Sequence, residues 1–202
     1  MQTCVSYQCL LDCPGCPLAT YAKKPPLPHS EIPPWFSISK RWCFHHIVGG
    51  EPLLSNPLEW LMLTQGHRVH LWSTGIGKPY LDQLLPHINR ITLFVPAYGR
   101  SAYLEHTGYD GWDQVNTTIQ WIQDSKIPLR ITTVARPSTI QTLPEFYTWT
   151  QQIAKAPFRI QYFPNDDWSS SLSTEYIQHM RKKKGCRVIK KKAGSGYCLG
   201  VS

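Results

Sequence analysis

The 202-residue sequence lacks several things, and each absence narrows what it can be. No stretch approaches the ~20 consecutive apolar residues of a membrane-spanning helix, so no span is expected. The opening Met1-Gln-Thr-Cys-Val-Ser-Tyr-Gln has neither a positively charged n-region nor an apolar h-region, so it does not read as a secretion signal. The expectation is a cytoplasmic, reducing location, where close-set cysteines act as metal ligands or catalytic groups rather than as disulfides. Acidic side chains are missing from Arg181 onward, although eight Lys or Arg lie there. Residues 1–180 hold 13 basic and 13 acidic side chains, so the net charge of +8 sits wholly on that tail. No internal repeat recurs at a fixed period.

What is present is an alternation of strand and helix patterns. Strands are expected over residues 2–8, 43–48, His67–Trp72, Arg90–Val95, Leu129–Val134 and Phe158–Phe163. A helix fits Pro57 to Gln65, with Asn56 as cap, Leu58, Leu61 and Met62 on one face and Gly66 ending it. Another starts near Pro79, with Leu81, Leu84, Leu85 and Ile88 at helical spacing. A Gly- and Tyr-rich loop over 96–112 leads to a helix at 113–125 with Val115, Ile119 and Ile122 inward. Thr142-Leu-Pro-Glu145 reads as a capping box opening a helix that carries Phe146, Thr150 and Ile153. A further helix fits 173–184, with Tyr176, Ile177 and Met180 on its apolar face. Such short connections imply parallel strands joined by right-handed crossovers, hence an α/β fold, an open partial (βα)6 barrel. Pro25, Pro26, Pro28, Pro33 and Pro34 forbid a continuous helix in the first crossover. Residues 1–165 are expected to form the core domain and 166–202 a short basic C-terminal extension.

Cys9-Leu-Leu-Asp-Cys13-Pro-Gly-Cys16 sets three thiols at Cys-x3-Cys-x2-Cys spacing where the first strand ends. Three thiolates on one tight loop suit the corners of a cuboidal iron–sulfur cluster. A structural zinc site would need a fourth ligand. Cys4 lies roughly 16 Å from Cys9 if the strand is extended at ~3.3 Å per residue, too far to join. On the cysteines alone, cluster, zinc and plain thiols all stay open.

The second motif is Ile47-Val-Gly-Gly-Glu-Pro-Leu-Leu54, after the second strand. Two glycines there allow a ligand close to the backbone and leave amides free to bind it; by itself the segment is also an ordinary strand-to-helix turn. Together, in this order, the two motifs resemble the radical S-adenosylmethionine (radical SAM) superfamily. Leu71-Trp-Ser-Thr-Gly75 resembles its third-strand Ser/Thr segment, and the resemblance covers roughly residues 2–165. Cys-Pro-Gly-Cys16 is similar to the version in activating enzymes of anaerobic ribonucleotide reductases. Gly15 stands where many members have an aromatic residue, and Gly75 where Asn is common. The resemblance implies that Cys9, Cys13 and Cys16 hold a [4Fe–4S] cluster whose open iron chelates S-adenosylmethionine. It implies that Gly49, Gly50, Glu51 and Pro52 line the methionine amino group, and that Ser73 and Thr74 lie near the ribose or carboxylate. Reductive cleavage would then give a 5′-deoxyadenosyl radical that abstracts hydrogen from substrate. An external electron donor such as flavodoxin or ferredoxin is implied, and a substrate that is a protein, peptide or nucleic acid.

Other residues carry less. Cys43, Cys186 and Cys198 lack close spacing and read as ordinary thiols. His46 reads as a packed strand residue beside His45. Arg136 and Asp166-Asp167 follow strands and point toward the expected active-site end. The competing function is an iron–sulfur nucleic-acid-binding module without catalysis, binding through the basic tail.

Overall fold

Seven short strands lie side by side in the order in which the chain makes them. They are β1 (Gln2–Cys4), β2 (Phe44–Val48), β3 (Arg68–Ser73), β4 (Arg90–Phe94), β5 (Leu129–Val134), β6 (Phe158–Tyr162) and β7 (Cys186–Lys190), and every adjacent pair is parallel. The computed structural model describes residues 2–14, 16, 44–54, 64, 66–77, 81–136, 138–162 and 171–190. Parallel strands in chain order require every crossover to return over the same face in the same hand. The described helices are α1 (Leu81–Leu84), α2 (Arg100–Thr107), α3 (Trp112–Asp124), α4 (Leu143–Gln152) and α5 (Ser171–Arg181). β1 and β7 do not pair with each other, so the barrel is partial and open.

Strand residues alternate between two faces. One set (Ile47, Leu71, Ile91, Leu93, Ile131, Phe158, Ile160) is fully buried with Val115, Ile119 and Ile122 of α3 and Phe146 and Trp149 of α4. Each such side chain contributes roughly 1.5–3 kcal/mol. The other set includes Phe44, His46, His70 and Trp72, whose rings meet edge-on or tilted with centroids 5.9, 4.8 and 5.2 Å apart for Phe44–His70, His46–His70 and His70–Trp72. Trp72 donates its indole N–H to His46 Nδ1, and His70 Nε2 meets Thr92 Oγ1 at 2.8 Å. His45 is on the core-facing side and is fully buried.

The six expected strands are all present, although the first, expected over residues 2–8, is a strand only over Gln2–Cys4, and a seventh lies within the basic extension. β7 pairs with β6 from Phe158↔Cys186 to Tyr162↔Lys190. α5 packs against β7 and α4 and buries Ile177 and Met180 in the core. Three local expectations are corrected. The 96–112 segment contains α2, which follows Gly99 and ends on left-handed Gly108. Helix α1 stops after one turn and continues as a 3-10 turn over Leu85–His87, because Pro86 has no N–H to donate. The capping box does not form. Ile140–Thr142 is already a 3-10 turn, and the Thr142 hydroxyl donates back to the Thr139 carbonyl instead. The helix expected at Pro57–Gln65, the proline-rich 18–40 stretch, Cys43, Phe163, Asp166-Asp167 and Cys198 lie outside the described residues, Thr64 apart.

Candidate active site at the carboxyl end of the sheet

Three chain segments converge where β1, β2 and β3 end. Beyond β1 the backbone runs on beside the end of β2. Val5 N–H bonds the Val48 carbonyl at 2.9 Å, Gly50 N–H the Ser6 carbonyl at 2.8 Å and Glu51 N–H the Gln8 carbonyl at 2.6 Å. This approach explains both glycines. A Cβ on Gly49 would drive into the Ser6 carbonyl oxygen. One on Gly50 would come within 2.5 Å of the Tyr7 oxygen and closer still to that of Gln8. The requirement is space for the cysteine loop's own backbone, and the Gly50 amide expected to be free for a ligand is bonded to Ser6.

Glu51 is fully buried, and its carboxylate is a latch. Oε1 accepts from Leu53 N–H at 2.9 Å and from the Ser73 hydroxyl at 2.8 Å. Oε2 accepts from Thr74 N–H at 2.6 Å and from the Thr74 hydroxyl. Burial raises the Glu51 pKa, and these donors pull against it. The Ser73 hydroxyl also accepts from Gly75 N–H. The segment after β2 is therefore tied to the Ser-Thr segment after β3 through one side chain. Pro52 is buried in a 3-10 turn over Pro52–Leu54.

The half-buried Cys9, Cys13 and Cys16 line one pocket together with Gly50, Thr74, Phe94, His106, Val134 and Arg136. A neighbouring pocket shares Gly50, Thr74 and Phe94 and adds Gly49, Trp72, Ser73, Thr132 and Gln161. Every sequence-predicted site residue except Glu51 and Pro52 thus faces one pocket or both. Glu51 and Pro52 shape the turn behind them. The loop is anchored at two further points: Asp12 N–H bonds the Thr107 carbonyl at 2.8 Å, and Arg136 Nη2 donates to the Pro14 carbonyl at 2.6 Å.

The thiols sense one another. Burial pushes Cys13 up to about 12, Cys9 and Cys16 push in the same direction, and Arg136 opposes them. Burial likewise pushes Cys9 up to about 11, with Glu51 and Cys16 adding to it. A bound cation would relieve this mutual opposition to ionisation. Among the described residues, no three His, Cys, Asp or Glu converge on a single metal ion. A cuboidal cluster does not ask for that convergence, because each thiolate takes its own iron at a separate corner. Cys4 lies on β1, with its thiol against the Ser6 carbonyl, and does not line the pocket. The residues present therefore fit a three-thiolate cluster better than a four-ligand zinc site.

Arg136 and His106 are pocket residues whose positions the sequence left unassigned or undecided. Arg136 is 122 residues from its partner, and His106 sits on the helix that replaced an expected loop. Tyr103, one turn before His106, is fully buried, and its hydroxyl has no hydrogen-bond partner. Burial raises its pKa, with Cys13 and Cys9 adding to the effect.

A parallel sheet in chain order, with three thiols after β1 and Gly-Gly-Glu-Pro after β2, is the arrangement that the resemblance of the two motifs leads one to expect. No family model and no curated protein matches the sequence. Solved structures do match. SuiB from Streptococcus suis bound to S-adenosylmethionine superposes with a TM-score of 0.68 at 15% identity, over 94% of this chain and 49% of that one. anSMEcpe with bound AdoMet and Kp18Cys peptide gives 0.68 at 14% identity, over 88% of this chain and 57% of that one. A domain of pyruvate-formate lyase-activating enzyme from Bacteroides vulgatus gives 0.52 at 16% identity, over 72% of this chain and 97% of that one. The chain spans about half the length of the first two. At such identities the likeness is one of fold, and the fold is the one the two motifs imply.

Proposed function

We propose that this chain is a radical SAM enzyme in which Cys9, Cys13 and Cys16 hold a [4Fe–4S] cluster. The observation that carries the reading is the Glu51 latch. It joins the Gly-Gly-Glu-Pro and Ser-Thr segments beside the pocket that all three thiols line. When bound, the cluster supplies the electron that splits the sulfonium of S-adenosylmethionine and so generates a 5′-deoxyadenosyl radical. The chain's own residues do the rest. Gly49, Gly50, Ser73 and Thr74 wall the space for S-adenosylmethionine, with Glu51 and Pro52 setting their positions. Phe94, Pro96 and Val134 give the cysteine pocket an apolar lining that excludes water from the radical. Arg136 and Thr107 hold the cysteine loop against the ends of β5 and α2.

Residues 1–165 form the catalytic core in this reading, and 166–202 an extension that lengthens the sheet. An external donor such as flavodoxin or ferredoxin supplies electrons in a cytoplasmic setting. The substrate is a protein, a peptide or a nucleic-acid component. SuiB has been solved with the precursor peptide SuiA, and anSMEcpe with peptides, which keeps a peptide among the candidates.

The test is anaerobic reconstitution followed by reduction with S-adenosylmethionine present. The expected result is about four irons and four sulfides per chain, lost when all three cysteines become Ala, together with release of 5′-deoxyadenosine. Stoichiometric zinc without iron in protein purified without oxygen refutes the cluster. A loaded cluster without 5′-deoxyadenosine refutes catalysis and leaves a non-catalytic iron–sulfur module that binds nucleic acid through its basic tail.

A further inference from the structure

Strands β3 to β7 each carry one arginine at the first or second position: Arg68, Arg90, Arg130, Arg159 and Arg187. The register pairs Phe44 with Arg68, His70 with Arg90, Thr92 with Arg130, Thr132 with Arg159, and Arg159 with Arg187. Paired residues in a sheet project to the same side, and the period is two, so all five share one face. It is the face opposite Ile91, Ile131 and Phe158, hence the inner wall of the partial barrel. None of the seven strands contains Asp or Glu. Among the described residues no salt bridge reaches any of the five arginines.

Two of them are accounted for locally: Arg68 and Arg90 lie over the Phe44 ring at 4.4 and 4.7 Å. Of the other three, on neighbouring strands, Arg159 holds its guanidinium carbon 5.8 Å from the Trp72 ring centroid, a longer approach, and among the described residues no ring contact reaches Arg130 or Arg187. Arg159 Nε is buried without a hydrogen-bond partner. Burial lowers Arg159 to about 10, and Arg130 and Arg187 lower it further. Burial lowers Arg130 too, with Arg90 and Arg187 adding to it. Half-buried like charges, with no counter-charge among the described residues, oppose folding, and a bound anion would offset them. Two residues further along β6, roughly 7 Å away at ~3.3 Å per residue, Gln161 is buried and its Oε1 has no partner. Gln161 lines the pocket under Gly49 and Gly50, so the arginine row and the site share one wall.

We infer that the inner wall binds a substrate carrying closely spaced phosphates, held by Arg130, Arg159 and Arg187, with its reacting part at the pocket lined by Trp72 and Gln161. The row crosses two inter-strand gaps, roughly 10 Å at ~4.8 Å each. A single carboxylate offsets one guanidinium. A polyphosphate, or consecutive phosphodiesters, spreads several charges over that length and matches the bidentate fork of each arginine. This names a substrate class for the radical SAM reading and rests on it.

The experiment titrates sodium tripolyphosphate into anaerobically reconstituted full-length protein at fixed ionic strength, with sulfate as control, by calorimetry and by thermal melting. Wild type should bind one equivalent and melt at a higher temperature than in sulfate. Arg130→Gln/Arg159→Gln should bind at least tenfold more weakly yet, without ligand, melt no lower than wild type, because like charges have been removed. Arg187→Gln, at an exposed position, should weaken binding in the same direction. Lys182→Gln/Lys184→Gln should not. Adenosine triphosphate and a single-stranded oligonucleotide, titrated in parallel, separate a free nucleotide from a strand as the source of the phosphates. Tripolyphosphate binding no better than sulfate, or equal binding by the arginine variants, overturns the inference. If wild type also loads its cluster and releases 5′-deoxyadenosine, the proposed function stands without it. If tripolyphosphate binds through the arginines but no cluster forms, the anion site stands and the radical SAM reading falls.

Discussion

Gly50→Ala tests whether the Gly-Gly-Glu-Pro segment serves the ligand alone or the cysteine loop as well. The added Cβ meets the Tyr7 and Gln8 carbonyls and the Gln8 carbonyl carbon at 2.9 Å, all of them backbone atoms that cannot rotate away. Relief requires residues 6–8 to move off the end of β2. That motion stretches the 2.8 Å bond from Gly50 to Ser6 and the 2.6 Å bond from Glu51 to Gln8. Two weakened hydrogen bonds at ~1 kcal/mol each, plus ~1–3 kcal/mol of overpacking, give a loss of about 3–5 kcal/mol. Against a typical total of ~5–15 kcal/mol the variant still folds, with Cys9 displaced. The expected outcome is a lower denaturant midpoint in the cluster-free protein and substoichiometric iron after reconstitution. Full cluster loading at wild-type stability, with only S-adenosylmethionine affinity lost, would show that the glycine makes room for the ligand and not for the loop.

Glu51→Gln should cost about 2–3 kcal/mol, because each carboxylate oxygen accepts a backbone N–H and the amide nitrogen of Gln would face one of them. Urea melts check it, and unchanged stability would mean the latch is not holding. Arg136→Met removes the donor to Pro14 and the positive charge that opposes the upward shift of Cys13, so iron should leave faster under a chelator. Equal retention refutes that role. Burial pushes His45 down to about 4 and His70 down to about 3; His67 and His46 lie near the first, and His46, Arg90, Arg130 and Arg159 near the second. The unfolded chain therefore binds more protons below the ordinary value near 6.5. Stability conferred by the neutral rings is present above that pH and is lost as pH falls toward 4 and then 3, by at most about 1.4 kcal/mol per pH unit per site. Melts from pH 4.5 to 7.5 that show no such slope contradict the burial of these rings.

The elements the sequence made plain are those whose apolar spacing reports burial directly. Val115, Ile119 and Ile122 mark α3, and the six strands announce themselves as β-branched or aromatic runs. α2 could not be found that way: its buried residues are Tyr103 and Thr107, while Leu104 is exposed, so its apolar pattern is not that of a core-facing helix. β7 is hidden for another reason. Its Cys-Arg-Val-Ile-Lys is flanked by lysines, and its pairing with β6 is invisible in a charge count. The cysteine and Gly-Gly-Glu-Pro motifs were legible because their chemistry is local in sequence. Arg136 meeting Pro14 is a tertiary fact with no local signature. The arginine row did leave a signal, since each arginine alternates with a core residue in its strand, but it shows only when parity is compared across strands.

The anchoring of the cysteine loop has a consequence for the order of events during synthesis. Residues 8–16 are made before β2, yet their supports are Glu51, Thr107 and Arg136, so the emerging chain cannot hold the three thiols in place until most of the sheet exists. Each of those contacts closes a long stretch of chain, whose entropy must be overcome before the contact contributes. The thiols accordingly wait, solvent-facing and oxidisable, while over a hundred residues are added. Delivery of iron belongs after the barrel has assembled, and oxidation of the nascent loop is the hazard that a reducing surrounding averts.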